Sequence, residues 1–194
     1  MLNDRSSYLT ALRTRRSGKP RDLVAPGPSP NELRAMLEIA ARTPDHGKLA
    51  PWRFVIVPAE GREALAALLA DARAAEGEPK PGELDGLRQF ARQAPALVVV
   101  LSAPSSERPI PLWEQEMSAG AAVMNLIHAA HAHGYAAGWL TGWATTSDRV
   151  RDAFGAAPER VVGFVFIGTP ARELEERPRP DLDRIVRYWT GDST

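Results

Sequence analysis

Two short runs concentrate hydrogen-bond donors in this chain. Arg42-Thr43-Pro44-Asp45-His46-Gly47-Lys48-Leu49-Ala50-Pro51-Trp52 places a guanidinium, an imidazole and an ammonium close together. Its prolines and glycine forbid a continuous helix, so the run is a shaped loop. Three donors on a short loop between packed elements suit a planar, anionic ligand. The second run, Arg13-Thr14-Arg15-Arg16-Ser17-Gly18-Lys19, closes a predicted helix. Consecutive donors there could hold a phosphate, with arginine supplying bidentate contacts. The competing reading is a solvated charge run, favourable at a helix C-terminus and the commoner case. His46 divides evenly between donating to a ligand oxygen and stabilising its own loop.

Gly138-Trp139-Leu140-Thr141-Gly142 puts small residues around a strand and its end. A flat ligand can approach backbone closely at such a place, although from the motif alone a bulge or turn is the favoured account of the glycines. His128 and His131 share a helical face, and His133 points elsewhere. No Asp, Glu or Cys set completes a metal site around them, so favourable placement near a helix C-terminus is the better account. There is no Gly-x-Gly-x-x-Gly, no phosphate-binding Walker loop and no Gly-x-Ser-x-Gly elbow. A conventional dinucleotide fold, a phosphate-loop nucleotidase and an α/β-hydrolase are thereby disfavoured.

Composition narrows the class further. The 194 residues suffice for one domain and contain no cysteine. Disulfides, thiolate metal sites and cysteine nucleophiles are excluded, so redox chemistry must come from a bound cofactor. Lys plus Arg equals Asp plus Glu at 24 each, giving net charge zero. That balance argues against nucleic acid or a membrane surface as partner, since both need a sustained basic field. No secretory signal and no apolar run of membrane-spanning length is visible, so the cytoplasm is the expected location.

The elements that must position these residues can be read from pattern. Residues 5–16 form a predicted helix with Tyr8, Leu9 and Leu12 on one face. Ser29-Pro30-Asn31-Glu32 is a capping box with proline in the first turn, opening a helix that Pro44 has ended. A strand over 52–57 precedes an Ala/Leu-rich helix over 61–75 and a short helix around Leu84, Leu87 and Phe90. Ala96–Leu101 is continuously apolar and predicts a strand buried on both faces. The longest helix runs from Trp113 to His133 with little polar face, which demands central burial or a subunit interface. Strand-like 136–143, a short helix at 150–154 and a strand over 160–167 follow. The tail from Ala171 ends in Ile185, Val186, Tyr188 and Trp189, which need a docking surface. Helices outnumber four strands, giving α/β or α+β layering.

Taken together, Arg15-Arg16-Ser17, Arg42-x-Pro44-Asp45-His46 through Pro51-Trp52, and Trp113-Glu114-Gln115-Glu116-Met117-Ser118-Ala119-Gly120 resemble the FMN-dependent nitroreductase family. Gly138-Trp139, Val162-Gly163-Phe164 and Gly168-Thr169-Pro170 extend the resemblance, which spans residues 8 to 190. It implies an α+β fold, a sandwich with a central, mostly antiparallel sheet flanked by helices, in an intertwined homodimer with FMN at the interface. The chain, residues 1–194, would be a single FMN-binding domain, with 171–194 as an arm docking on the partner.

By the same resemblance, Arg15, Arg16 and Ser17 hold the FMN phosphate and ribityl end, and Lys19 faces the flavin pyrimidine. Arg42 and His46 approach from the partner subunit, and Gly138, Trp139 and Leu140 line the ring near N5. Many family members carry Asn and Gln where this chain has Lys48 and Ala50, so a ring contact is lost or replaced. The implied activity is ping-pong hydride transfer from NADH or NADPH through flavin N5 to a nitroaromatic, quinone or similar small-molecule acceptor. It needs no protein general base and no metal. Dehydrogenation or flavin cleavage on the same fold, or flavin binding without turnover, are the alternatives.

Overall fold

Turn breakers and caps divide residues 1–191, which the computed structural model describes, into eight α-helices and five strands. Helix α1 (Tyr8–Thr14) starts where the Ser7 hydroxyl accepts the Thr10 N–H. Strand β1 (Leu23–Val24) follows. Helix α2 (Pro30–Ala40) opens on the expected capping box: Ser29 Oγ accepts the Glu32 N–H at 3.3 Å and Glu32 Oε2 accepts the Ser29 N–H at 2.8 Å. Next come β2 (Trp52–Ile56), α3 (Arg62–Ala75), α4 (Glu83–Arg92), β3 (Ala96–Ser102) and α5 (Leu112–Ala132). The chain closes with β4 (Ala136–Leu140), α6 (Trp143–Thr146), α7 (Asp148–Phe154), β5 (Arg160–Pro170) and α8 (Leu182–Ile185).

The strands form one sheet ordered β1-β5-β3-β2, with β4 also paired to β5, and every pair is antiparallel. All seven residues of β3 are buried, as its unbroken apolar run predicts. The period-two alternation of a strand sends them to two cores. Leu97, Val99 and Leu101 join Phe164 and Phe166 beneath α3 and α4. Val98 and Val100 join Val165 and Ile167 beneath α2 and α5. Phe90 of α4 meets Phe164 and Phe166 edge-on at 5.2 and 5.1 Å between ring centroids. The result is the α+β layering expected, with the sheet enclosed by helices on both faces.

Three boundaries differ from the sequence reading. Ser7 caps α1, so that helix begins at Tyr8 rather than residue 5. Strand β4 stops at Leu140 because Gly142, at φ +112°, turns the chain into α6. The two-residue β1 carries no periodic signal; it forms because Leu23 and Val24 meet Pro170 and Thr169 of β5. Tyr8, Leu9 and Leu12 are exposed on the single chain, as are Leu112, Trp113 and Met117 of α5 and Ile185, Val186, Tyr188 and Trp189 of the tail. Residues 192–194 of the expected arm lie outside the described residues.

Candidate functional site

A cavity of about 440 Å³ opens where the first basic run meets the end of β4. Arg16, Ser17, Gly18 and Lys19 form one wall and Gly138, Trp139 and Leu140 another. The Gly18 N–H donates to Ala137 O at 3.0 Å, tying the run to β4 like an extra strand. This approach needs glycine at both positions. A Cβ on Gly138 would stand 2.5 Å from Gly18 O, and one on Gly18 would stand 2.6 Å from Leu23 Cδ2. Trp139 turns its ring across Gly163 and donates Nε1–H to Val162 O at 3.1 Å, which fixes the indole.

Residues 170–175 run across the cavity as a strap, anchored where the Ala171 N–H donates to Asp22 O at 2.8 Å. From it Glu175 O accepts Arg16 Nε–H at 2.6 Å, and the Glu175 carboxylate lies 3.5 Å from Lys19 Nζ. Arg15 stands beside the cavity and donates to Ser17 Oγ at 3.2 Å. Arg179 donates to Arg15 O at 3.2 Å and to Glu176 at 2.8 Å. Burial holds the Arg15 guanidinium below its ordinary pKa, and the positive charges of Arg179, Arg16 and Arg177 add to that effect against Glu176 alone. Four guanidiniums with one facing carboxylate are a place where an added anion relieves repulsion. The cavity residue Gln93 escapes sequence reading, because the end of α4 brings it in from a distant segment; Arg177 and Arg179, whose loose spacing in the tail leaves a phosphate clamp unassigned from sequence, come to Arg15 along the strap's path.

Arg42 and His46 lie elsewhere on the chain, on a loop that α5 fastens. Glu114 meets His46 Nδ1 at 2.8 Å, Ser118 Oγ donates to Pro44 O at 2.9 Å, and Asn125 Nδ2 donates to Thr43 Oγ1 at 2.7 Å. These three α5 residues share one helical face, which explains why a nearly apolar helix keeps them. Gln115, 4 % exposed, clamps the preceding loop through Ser105 and Ile110. Within the fastened loop Gly47, Lys48 and Ala50 take φ of +78°, +59° and +47°. Left-handed Lys and Ala are strained, and the Asp45 carboxylate helps hold the turn by accepting the Ala50 N–H at 2.9 Å. The predicted residues thus split into two groups. Arg16, Ser17, Lys19, Gly138, Trp139 and Leu140 line one cavity with Arg15 beside it, while Arg42 and His46 stand on a separate, rigid loop.

The histidines of α5 do not gather a metal set; no group of three or more ligating side chains occurs among the described residues. His131 is 5 % exposed, and neither ring nitrogen has a hydrogen-bond partner among those residues. Burial, then the charges of Arg15 and His128, push its pKa down to about 4. An unfolded chain therefore binds more protons than the folded one between the ordinary histidine pKa and about 4, so stability is lost as pH is lowered through that window. The loss should approach 3 kcal/mol, roughly 1.4 kcal/mol per unit. Urea unfolding at neutral pH and near pH 4.5 should show it, and His131→Val should flatten the dependence; an equally steep variant would refute the assignment.

No helix among the described residues is long and apolar enough to cross a membrane. A sequence model of the Nitroreductase family matches residues 12–169. The chain is 37 % identical over 169 residues to the Escherichia coli K12 protein named "Putative NAD(P)H nitroreductase YdjA", covering 86 % of this chain and 92 % of that one. A like-named Haemophilus influenzae protein is 37 % identical over 185 residues, covering 93 % and 98 %. Among solved structures, a nitroreductase-like protein from Bacillus cereus superposes with a TM-score of 0.77 at 21 % identity, covering 96 % and 97 %. One from Desulfovibrio desulfuricans, solved in complex with FMN, gives 0.70 at 24 % identity, covering 93 % and 95 %.

Proposed function

The chain belongs to the nitroreductase family, and from that premise we propose that it is an FMN-dependent NAD(P)H oxidoreductase acting on small-molecule acceptors such as nitroaromatics or quinones. The observation that carries the FMN reading is the pairing of a glycine-lined cavity with a cluster of guanidiniums at its edge. The cavity's volume is within the range of ligand pockets, roughly 300–1,000 Å³. Gly18 and Gly138 bring bare backbone to its wall, which suits a flat ring, and the guanidiniums suit a phosphate. Bound there, FMN would supply the two-electron chemistry, taking hydride from NAD(P)H and giving it to the acceptor.

Each residue then has a task. With FMN bound, Arg15, Arg16 and Ser17, together with Arg177 and Arg179, would hold the phosphate. Trp139 and Leu140 form a fixed surface for the ring. Lys19 places a cation at the cavity wall where negative charge on a reduced pyrimidine would be stabilised. Arg42 and His46 reach a flavin only in a second copy of the chain. The exposed apolar residues of α1, α5 and the tail supply the contact area for that homodimer. Sedimentation should find a dimer at micromolar concentration; a stable monomer there counts against it.

The direct test is the absorption spectrum of the purified protein with and without added FMN. Arg15→Ala should weaken FMN by about 10- to 100-fold, the worth of one charge-assisted contact at ~1.5–3 kcal/mol, while riboflavin affinity barely changes. Equal loss for both ligands would remove Arg15 from the phosphate. Stopped-flow mixing with NADH and NADPH, then with acceptors, separates a turnover enzyme from a flavin-binding module.

The Lys19–Glu175 pair makes a paired prediction. Lys19→Ala should lower the flavin midpoint potential by roughly 30 mV, the equivalent of ~1.4 kcal/mol, because one cation beside the reduced ring is lost. Glu175→Gln should raise it, since the carboxylate 3.5 Å from Lys19 Nζ no longer offsets that charge. Potentials that do not move in opposite directions would place the pair away from the ring.

A further inference from the structure

Gln93, the residue that ends α4, lines the first cavity, and the turn that carries it is held from several directions. The Gln93 N–H donates to Phe90 O at 3.4 Å, and Gln93 O accepts Arg62 Nη1–H at 2.9 Å. The same buried guanidinium grips the carbonyls of Ala91 and Ala94 on either side. Ala94 takes φ +53° directly before Pro95, although an alanine and a residue preceding proline both favour an extended backbone. Strain of this kind persists where the surroundings over-determine it, and it gathers at ligand sites. Pro95 is wedged between two glycines. A Cβ on Gly27 would stand 2.6 Å from Pro95 Cβ, and one on Gly168 2.6 Å from Pro95 Cδ. A buried charge, a strained residue and a wedged ring thus fix one half-buried side chain at the cavity wall.

The other polar groups of that wall are committed or carry charge of one sign. Trp139 Nε1 donates to Val162 O, Ser17 Oγ accepts from Arg15, Asp22 faces Arg172 and Lys19 faces Glu175. The hydrogen bonds of Gln93 run through its backbone, which leaves its carboxamide free among the described residues. A carboxamide both donates and accepts at a fixed spacing. The imide edge of a flavin pyrimidine offers the matching pattern, an N3–H between two carbonyls. We propose that Gln93 reads this edge, its Oε1 accepting the flavin N3–H and its Nε2–H donating to a neighbouring carbonyl, and that Arg62 is the positioning residue that sets it there. The inference rests on the FMN reading above and adds a recognition that the cations of the cavity cannot supply. Arg16 and Lys19 attract negative charge, but neither can accept a hydrogen bond from N3–H.

The test compares FMN with its N3-methyl analogue, which lacks that N–H, by fluorescence titration. Native protein should bind FMN about tenfold tighter than the analogue. Gln93→Met, similar in size but without the amide, should bind FMN about five- to tenfold more weakly and the analogue as the native protein does. Arg62→Lys should lose part of the discrimination with Gln93 intact, an effect that a role confined to stability would not produce. Gln93→Glu should give a lower flavin midpoint potential than Gln93→Met, because a carboxylate beside the ring opposes the negative charge of its reduced form. Discrimination retained in Gln93→Met, an equal loss for both flavins, or equal potentials in the two variants overturns the assignment of Gln93; full discrimination in Arg62→Lys overturns the positioning role. Native protein that binds both flavins alike defeats this inference alone, whereas native protein that binds neither defeats the FMN reading and this inference with it. Melting curves establish that each variant is folded at the temperature of titration.

Discussion

Gly138→Val should abolish FMN binding while leaving most of the fold in place. A Cβ at residue 138 would already stand 2.5 Å from Gly18 O and 3.1 Å from the Pro20 ring. Valine adds two more carbons to that collision, and the neighbour is backbone, which cannot rotate away. The segment 17–20 must therefore leave β4, breaking the Gly18 N–H bond to Ala137 O. Ser17 and Lys19 move with it, and the first cavity loses the wall that carries its donors. Overpacking of this kind costs about 1–3 kcal/mol of stability, within the reserve of a domain of this size. Affinity should fall more than about 100-fold, because contacts that depend on placement fail together. Gly86→Ala is the control: nothing lies within 4 Å of its Cβ in α4, so it should bind FMN normally and gain about 0.5–1 kcal/mol. FMN affinity retained in Gly138→Val would mean that the flavin lies somewhere other than between Gly18 and Gly138.

The contrast between these glycines shows what a sequence discloses. Gly138 was identifiable as a place of close approach, yet its partner, Gly18 O, lies across a pairing between segments distant in sequence. Local grammar was legible: the Ser29–Glu32 capping box, the twofold-buried β3 and the apolar α5 all follow from patterns within one element. The two basic runs were legible as donors, but their separation on the single chain was not, since it depends on where α5 holds the loop of His46. Glu114 and Ser118 stand in the Trp113–Gly120 motif of the family resemblance, but nothing in the sequence gives them or Asn125 a partner. Only the packed structure shows that they share a face and grip residues 43–46. His131 gave the opposite error. Helix position suggested a histidine at the core's edge, favoured by the dipole, whereas it is buried, has no hydrogen-bond partner among the described residues, and is held neutral.

Arg62→Ala should be among the most destabilising single substitutions in the chain, although nothing in the sequence around Arg62 marks it. Its side chain is buried, with the residue only 6 % exposed, and faces carbonyls instead of a carboxylate. The guanidinium donates to Val57 O at 3.1 Å, to Ala91 O and Gln93 O at 2.9 Å each, and to Ala94 O at 3.4 Å. Burial lowers its pKa from the ordinary arginine value, but an arginine starts so high that it stays charged. These bonds join the start of α3 to the end of β2 and to the turn between α4 and β3, where Ala94 is held at φ +53°. Alanine would orphan several buried carbonyls and leave a hole, and water can satisfy only part of that loss. A cost of about 3–5 kcal/mol follows from the loss of a buried network. For a domain of this size that is roughly 10 °C in Tm. The turn also carries Gln93, which lines the first cavity, so FMN affinity should fall in the variant even where it is fully folded. Arg62→Lys should recover part of the stability, because an ammonium keeps the charge but cannot span carbonyls on both sides. Calorimetric melting of the three proteins with and without FMN checks both claims; an Arg62→Ala protein that melts with the native one would show that the carbonyls find other partners.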